Sequence, residues 1–144
     1  MKNFFLTLLI TCLPVTVFGE QFETFGNYTV HYSAFTTDIL TPAVAKSYQI
    51  QRSKNRIMVN LSIMKDQNGD TGKSVRTRVE GTATNLNQQL RALNIREIVE
   101  QDAIYYIADT PIDNTETLKF NFIITPEGEK TPYTLSFQEQ FYTE

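Results

Sequence analysis

Side chains that do chemistry near neutral pH are few in this chain. It has one histidine, His31, and one cysteine, Cys12. A catalytic histidine needs a nucleophile or substrate within hydrogen-bond reach, and usually a carboxylate to orient it. Along "GNYTVHYSAFTTDIL" the neighbouring serine on the histidine's side is Ser33. Two residues along a strand span roughly 6.5 to 7 Å, too far for a direct hydrogen bond. No G-x-S-x-G elbow presents another serine. His31 is therefore read as a strand residue on a polar face with Thr29 and Ser33, and no catalytic residue is assigned.

The stretch "DQNGDTGKSVRT" places Asp66, Asn68 and Asp70 at the first, third and fifth positions of a calcium loop. Thr71 stands where such a loop has glycine, and Thr77 where it has a bidentate glutamate. Asn, Gly and Asp are equally what a hairpin turn selects, so Lys65 to Lys73 is expected to be a hairpin connection. Zinc prefers N and S donors, which this chain hardly offers, and no metal ligand or cofactor is assigned. Glu97 with Glu100, and Glu127 with Glu129, are read as solvated surface rather than as a glycosidase pair. No glycine loop for phosphate is present.

The chain carries 13 basic and 16 acidic side chains, a net charge of −3. That balance argues against nucleic acid, whose binding needs a basic surface to displace counterions. Within it, Arg52, Lys54, Arg56, Arg76 and Arg78 form a local basic contrast. They are the candidate binding residues, for an anionic partner.

The elements that position these residues are strands. In Arg56 to Met64, Ile57, Val59, Leu61 and Ile63 share one face, while Arg56, Asn60, Ser62 and the methionines share the other. In "SVRTRVEGTAT", Val75, Thr77, Val79, Gly81 and Ala83 alternate with Arg76, Arg78, Glu80 and Thr82. A hairpin pivoting near Gly69 would set Leu61 opposite Thr77 and Val59 opposite Val79, with the arginines together outside. Leu118, Phe120, Phe122 and Ile124 alternate, as do Tyr133, Leu135 and Phe137, with "PEGEKTP" between them. "LNIREIV" and "AIYYIAD" make a further hairpin around Gln101 and Asp102. Its first strand changes apolar side between Ile95 and Ile98, which suggests a bulge. With Tyr28 to Phe35 this makes seven strands. Thr41 as N-cap and Pro42 at N1 start one short helix near 42–48. The pattern predicts an all-β, immunoglobulin-like two-sheet sandwich without the cysteine pair and tryptophan of antibody domains; a small barrel is the alternative.

The first residues, "MKNFFLTLLITCLPVTVFG", have a lysine, a short apolar run interrupted by Pro14, and small or apolar residues at Val17 and Gly19. This fits a signal peptide, residues 1–19, cleaved after Gly19. Cys12 falls inside it as an apolar residue. The folded domain is then 20–144, one domain by length.

The segments "FGNYTVHYSAFTTDILTPAVAKSYQIQRSKNR", "GTATNLNQQLR", "REIVEQDAIYYI" and "YTLSFQEQFYTE" resemble the bacterial family known as domain of unknown function 4426. The resemblance covers nearly the whole domain. It implies a small exported protein of Gram-negative bacteria, chiefly gammaproteobacteria, and hence a periplasmic location. The family has no established activity, so no functional residue comes with it. The expectation is a monomeric, non-catalytic binding or accessory module of the cell envelope, with a protein or glycan partner. The alternative is an enzyme using carboxylates or His31 in a cleft between loops.

Overall fold

A computed structural model of the protein describes residues 21–144. The proposed signal peptide, its cleavage point and Cys12 lie outside the described residues. Ten strands, one 3-10 turn and one helix follow in order. The strands are β1 (Gln21–Phe25), β2 (Tyr28–Thr36), β3 (Arg56–Gln67), β4 (Asp70–Ser74), β5 (Thr77–Asn85), β6 (Leu90–Ala92), β7 (Arg96–Glu100), β8 (Ala103–Pro111), β9 (Glu116–Pro126) and β10 (Tyr133–Phe141). The 3-10 turn (Thr37–Ile39) and α1 (Pro42–Tyr48) connect β2 to β3.

The chain is a run of five hairpins dealt between two sheets. The first sheet has the order β1-β2-β3-β8-β7, with β4 also on β3, and the second has the order β10-β9-β5-β6. All pairs are antiparallel. The all-β sandwich is as expected, with β1, β4 and β6 as additional strands. Thr41 caps α1, its side chain accepting from the Val44 amide at 3.3 Å, and Pro42 is the first helical residue.

The core lies between the sheets, where the alternating apolar residues face inward. Ile57, Val59, Leu61 and Ile63 of β3 meet Leu118, Phe120, Phe122 and Ile124 of β9 and Leu135 of β10, and each is at most 1% exposed. Rings from both sheets pack there, with Tyr32 stacked on Phe137 at 4.6 Å and Phe137 on Phe120 at 4.9 Å. Such ring pairs add about 0.5 to 1.5 kcal/mol each beyond burial.

Two expectations about pairing are corrected. Arg56–Met64 does not form a hairpin with 75–84. β3 turns at Asn68-Gly69, both at positive φ, and pairs with the short β4, Gln67 opposite Asp70. This two-residue Asn-Gly turn makes Lys65 to Lys73 a hairpin connection, as expected, though to β4. The chain then crosses to the other sheet, where β5 pairs with β9, Val79 opposite Ile124 and Gly81 opposite Phe122. The apolar face of each strand was correctly assigned, but its partner was not. Nor is the change of side between Ile95 and Ile98 a bulge. Leu93 still bonds Gly81 of the second sheet (2.9 Å), whereas β7 belongs to the first sheet. The chain passes from one sheet to the other between them.

Each crossing leaves backbone groups that no ladder satisfies, and side chains serve them. At the β4–β5 crossing the Thr77 amide donates to the Tyr106 hydroxyl (2.7 Å), which donates to Glu97 (3.1 Å). At the β8–β9 crossing Glu116 accepts from the Asp113 amide (2.9 Å) and from Arg91 (2.5 Å), while Arg91 also donates to the Pro111 carbonyl (2.7 Å).

Candidate functional site

The outer face of the first sheet is divided into a covered and an open half. Over one half, the 3-10 turn, α1 and the chain up to Arg56 form a lid. Beneath it Met58 and Ile107 are buried with Ile50, and Phe35, Leu40, Tyr48, Ile98 and Tyr105 pack around them. Thr37 fastens this lid. Its hydroxyl donates to the carbonyls of Gln51 (2.7 Å) and Ser53 (3.1 Å) and accepts from the Ser53 amide (2.9 Å). The Tyr48 hydroxyl donates to Glu100 at 2.6 Å, and that carboxylate, helped by burial, pushes the phenol up to about 12.

The other half is uncovered and forms a concavity of about 440 Å³. Thr29, His31 and Ser33 of β2, Asn60, Ser62, Met64 and Asp66 of β3, and Tyr105 line it. Register explains the grouping, because His31 pairs with Ser62, Ser33 with Asn60 and Thr29 with Met64. Residues opposite each other on one face have Cβ atoms about 4.5 to 5.5 Å apart, and diagonal neighbours such as His31 and Met64 stay within reach of long side chains. Phe22 of β1 lies against the imidazole, the rings 5.9 Å apart. Gly72 closes one end, where an added Cβ would come within 2.8 Å of the Lys65 carbonyl oxygen. The Met64 sulfur accepts from Ser74 at 3.4 Å and Ser62 at 3.8 Å. Asn60 Oδ1 is buried and has no hydrogen-bond partner.

The five basic residues do not share a face. Arg52 braces the lid, donating to the carbonyls of Leu40 (2.7 Å) and Asp38 (3.0 Å). Lys54 is exposed in a turn. Arg56 is paired with Asp109 at 2.7 Å on the first sheet, whose β8 supplies its neighbour. Arg76 and Arg78 come together in a recess at the other end of the molecule, with Lys130 and with Glu97, Glu127 and Glu129. Arg76 is paired with Glu97 at 3.2 Å. Glu129 accepts from Tyr28 at 2.9 Å; burial first, then this carboxylate, raises the Tyr28 phenol.

Sequence reasoning placed His31, Asn60, Ser62 and Met64 on outward faces but did not bring the two strands together. The β2–β3 connection, at about twenty residues with its own helix, hides the pairing. A signal was available in the matched polar runs, Thr-His-Ser against Asn-Ser-Met.

Among the described residues no three His, Cys, Asp or Glu side chains are close enough to share a metal ion. No helix there is long and apolar enough to cross a membrane.

The chain belongs to the DUF4426 family, described as a domain of unknown function, matching it over residues 22–144. A crystal structure of a DUF4426 family protein from Pseudomonas aeruginosa is similar at 33% identity and a TM-score of 0.73, covering 86% of this chain and 95% of that one. The fold is shared with FetP of uropathogenic E. coli strain F11. As isolated after expression in the periplasm, FetP matches at 11% identity and a TM-score of 0.60, covering 85% of this chain and 93% of that one. A copper-bound variant of FetP, with one glutamate replaced by glutamine, matches at 10% identity and a TM-score of 0.61, covering 85% and 94%. Among curated proteins none matches the sequence.

Proposed function

We propose that this DUF4426 protein is a non-catalytic binding module of the cell envelope, acting in the periplasm after loss of residues 1–19. Its ligand seats in the His31 concavity. The observation that carries this reading is Asn60 Oδ1, a buried acceptor without a donor at the floor of an open recess. Leaving such an acceptor unpaired costs about 1 to 3 kcal/mol, which a ligand N–H or O–H returns on binding. His31 and Ser62 stand beside it. The lining serines, Ser33 and Ser62, lie within paired strands. They are not on the turn or helix start where oxyanion-binding amides gather, which favours binding over acyl-transfer chemistry. Of the five candidate basic residues only Arg76 and Arg78 remain together. In their recess Glu97, Glu127 and Glu129 balance them and Lys130, so it offers no net positive charge to an anionic partner, and the His31 concavity is the better seat.

A second reading is favoured by the diagonal placement of His31 and Met64. Imidazole and thioether donors suit a soft ion such as Cu(I), and the fold is shared with copper-bound FetP. Two measurements separate the readings. Native mass spectrometry of protein recovered from the periplasm is compared for wild type and Asn60→Leu. A small-molecule adduct lost in the variant supports the first reading. Titration with Ag(I) that moves the His31 ring and Met64 methyl signals supports the second. Neither adduct nor shift would remove the site.

A further inference from the structure

A second recess lies on the far side of the molecule, on the outer face of the second sheet. We infer that it binds a neutral oligosaccharide. The recess has a volume of about 420 Å³. Its floor is a grid set by register. Thr82, Asn121 and Ser136 stand side by side across β5, β9 and β10, and Thr84, Lys119 and Gln138 form the next row. Neighbours within a row are about 4.8 Å apart, close to the width of a sugar ring, and the rows are about 6.5 to 7 Å apart. Each position but one carries a neutral hydroxyl or amide, so the floor offers both donors and acceptors. Ser136 donates to Asn121 Oδ1 at 2.7 Å, which turns the Asn121 amide nitrogen to the recess as a donor.

The recess lining itself carries little charge. Glu80 and then Arg78 follow Thr82 along the outer face of β5 but fall outside the recess lining, in which Lys119 is the one charged side chain. An anionic polymer needs several cations, and a protein partner usually brings a larger apolar centre. Neither requirement is met here.

The rim supplies the apolar half of sugar recognition. Leu86 and Leu90 are 73% and 67% exposed at the β5–β6 turn. The turn that presents them is built from within. Asn85 is buried, its Oδ1 accepts from the amides of Asn87 and Gln89 at 3.0 Å each, and its Nδ2 donates to Gln89 at 2.6 Å. Gln88 is held at φ 62° in the same turn. Leu86 is thus fixed in solvent beside a polar grid, as a surface for the C–H face of a pyranose. Ordering costs on binding are low for such a turn.

The site is independent of the His31 concavity, and the test distinguishes them. The 15N-labelled domain is titrated separately with chitotetraose, cellotetraose and maltotetraose, and with a sulfated oligosaccharide. At least one neutral tetramer should shift amides of 82–90, 119–121 and 136–138. Leu86→Ser and Asn121→Ala should each weaken that binding about tenfold, about 1.4 kcal/mol, with melting temperature unchanged. No shift with any neutral sugar, equal binding of the sulfated one, shifts confined to the His31 face, or binding untouched by either variant would overturn the inference.

Discussion

Replacing Gly81 by alanine should destabilise the protein, although alanine is ordinarily the better strand residue. Gly81 lies opposite Phe122 in the second sheet, and the ring rests on it. A Cβ added there would meet Phe122 Cε1 at 2.5 Å and Cδ1 at 2.6 Å. Ordinary carbon contacts are about 3.5 to 4.0 Å, so the ring must retreat by about 1 Å. Phe122 is fully buried, with Phe137 behind it at 6.1 Å and Phe120 beside it at 6.3 Å. The displacement therefore spreads through a packed row of rings, and overpacking of this kind costs about 1 to 3 kcal/mol. Against it, Gly81 is not at positive φ, so alanine narrows the unfolded ensemble and returns about 0.4 to 1 kcal/mol. With central values of about 2 and about 0.7 kcal/mol the net loss is about 1.3 kcal/mol, or roughly 3 to 8 °C in Tm for a domain of this size. Urea denaturation followed by circular dichroism measures it, since the chain has no tryptophan. Phe122→Leu is destabilising alone but makes room for the methyl group. The double variant should therefore be more stable than the sum of the singles by about 1 kcal/mol. A Gly81→Ala protein as stable as wild type, or a strictly additive double variant, would refute the reasoning.

Thr37→Val keeps the shape of a fully buried side chain and strips the Gln51 and Ser53 backbone of its partners. It should cost about 2 kcal/mol in urea unfolding and speed hydrogen exchange across α1. Arg91→Ala removes the cation from Glu116, which is 8% exposed, and should cost about 2 kcal/mol; Glu116→Gln in that background should recover part of the loss. Tyr106 is raised to about 12, chiefly by burial, and Tyr48 to about 12, chiefly by its bond to Glu100. Both hold their protons in the fold above the unfolded value of 10.0, so the folded state binds more protons between those limits. Their contribution is complete below about pH 10 and is lost as pH rises toward about 12, and an alkaline series of urea midpoints should fall in that window, less steeply in Tyr106→Phe. His31→Ala should melt within a few degrees of wild type, because the imidazole sits outside the core, as a differential scan of the two proteins would show.

Inside and outside were legible strand by strand. Side chains alternate with period two whatever the neighbouring strand is, so Ile57 to Ile63, Thr77 to Ala83 and Leu118 to Ile124 declare their buried face unaided. The close hairpins at Gln101-Asp102 and "PEGEKTP" were legible too, because a short turn leaves one way to pair. The capped helix at Thr41-Pro42 is local chemistry of the same kind.

Which strands lie side by side is decided by closing loops and filling a shared core, and one strand's alternation carries no record of that. β3 and β5 face the core equally well whether paired with each other or placed on opposite sheets. The crossing at Val75-Arg76 put them apart and separated Arg56 from Arg78. The same long-range closure brought β2 beside β3 and set His31 across from Ser62, next to an amide oxygen left without a donor. The residue types at the candidate site, and the faces they occupy, are properties of the sequence. Their meeting in one recess, and the lid that leaves that recess open, come from the tertiary structure, because a contact between distant segments belongs to no one segment's pattern.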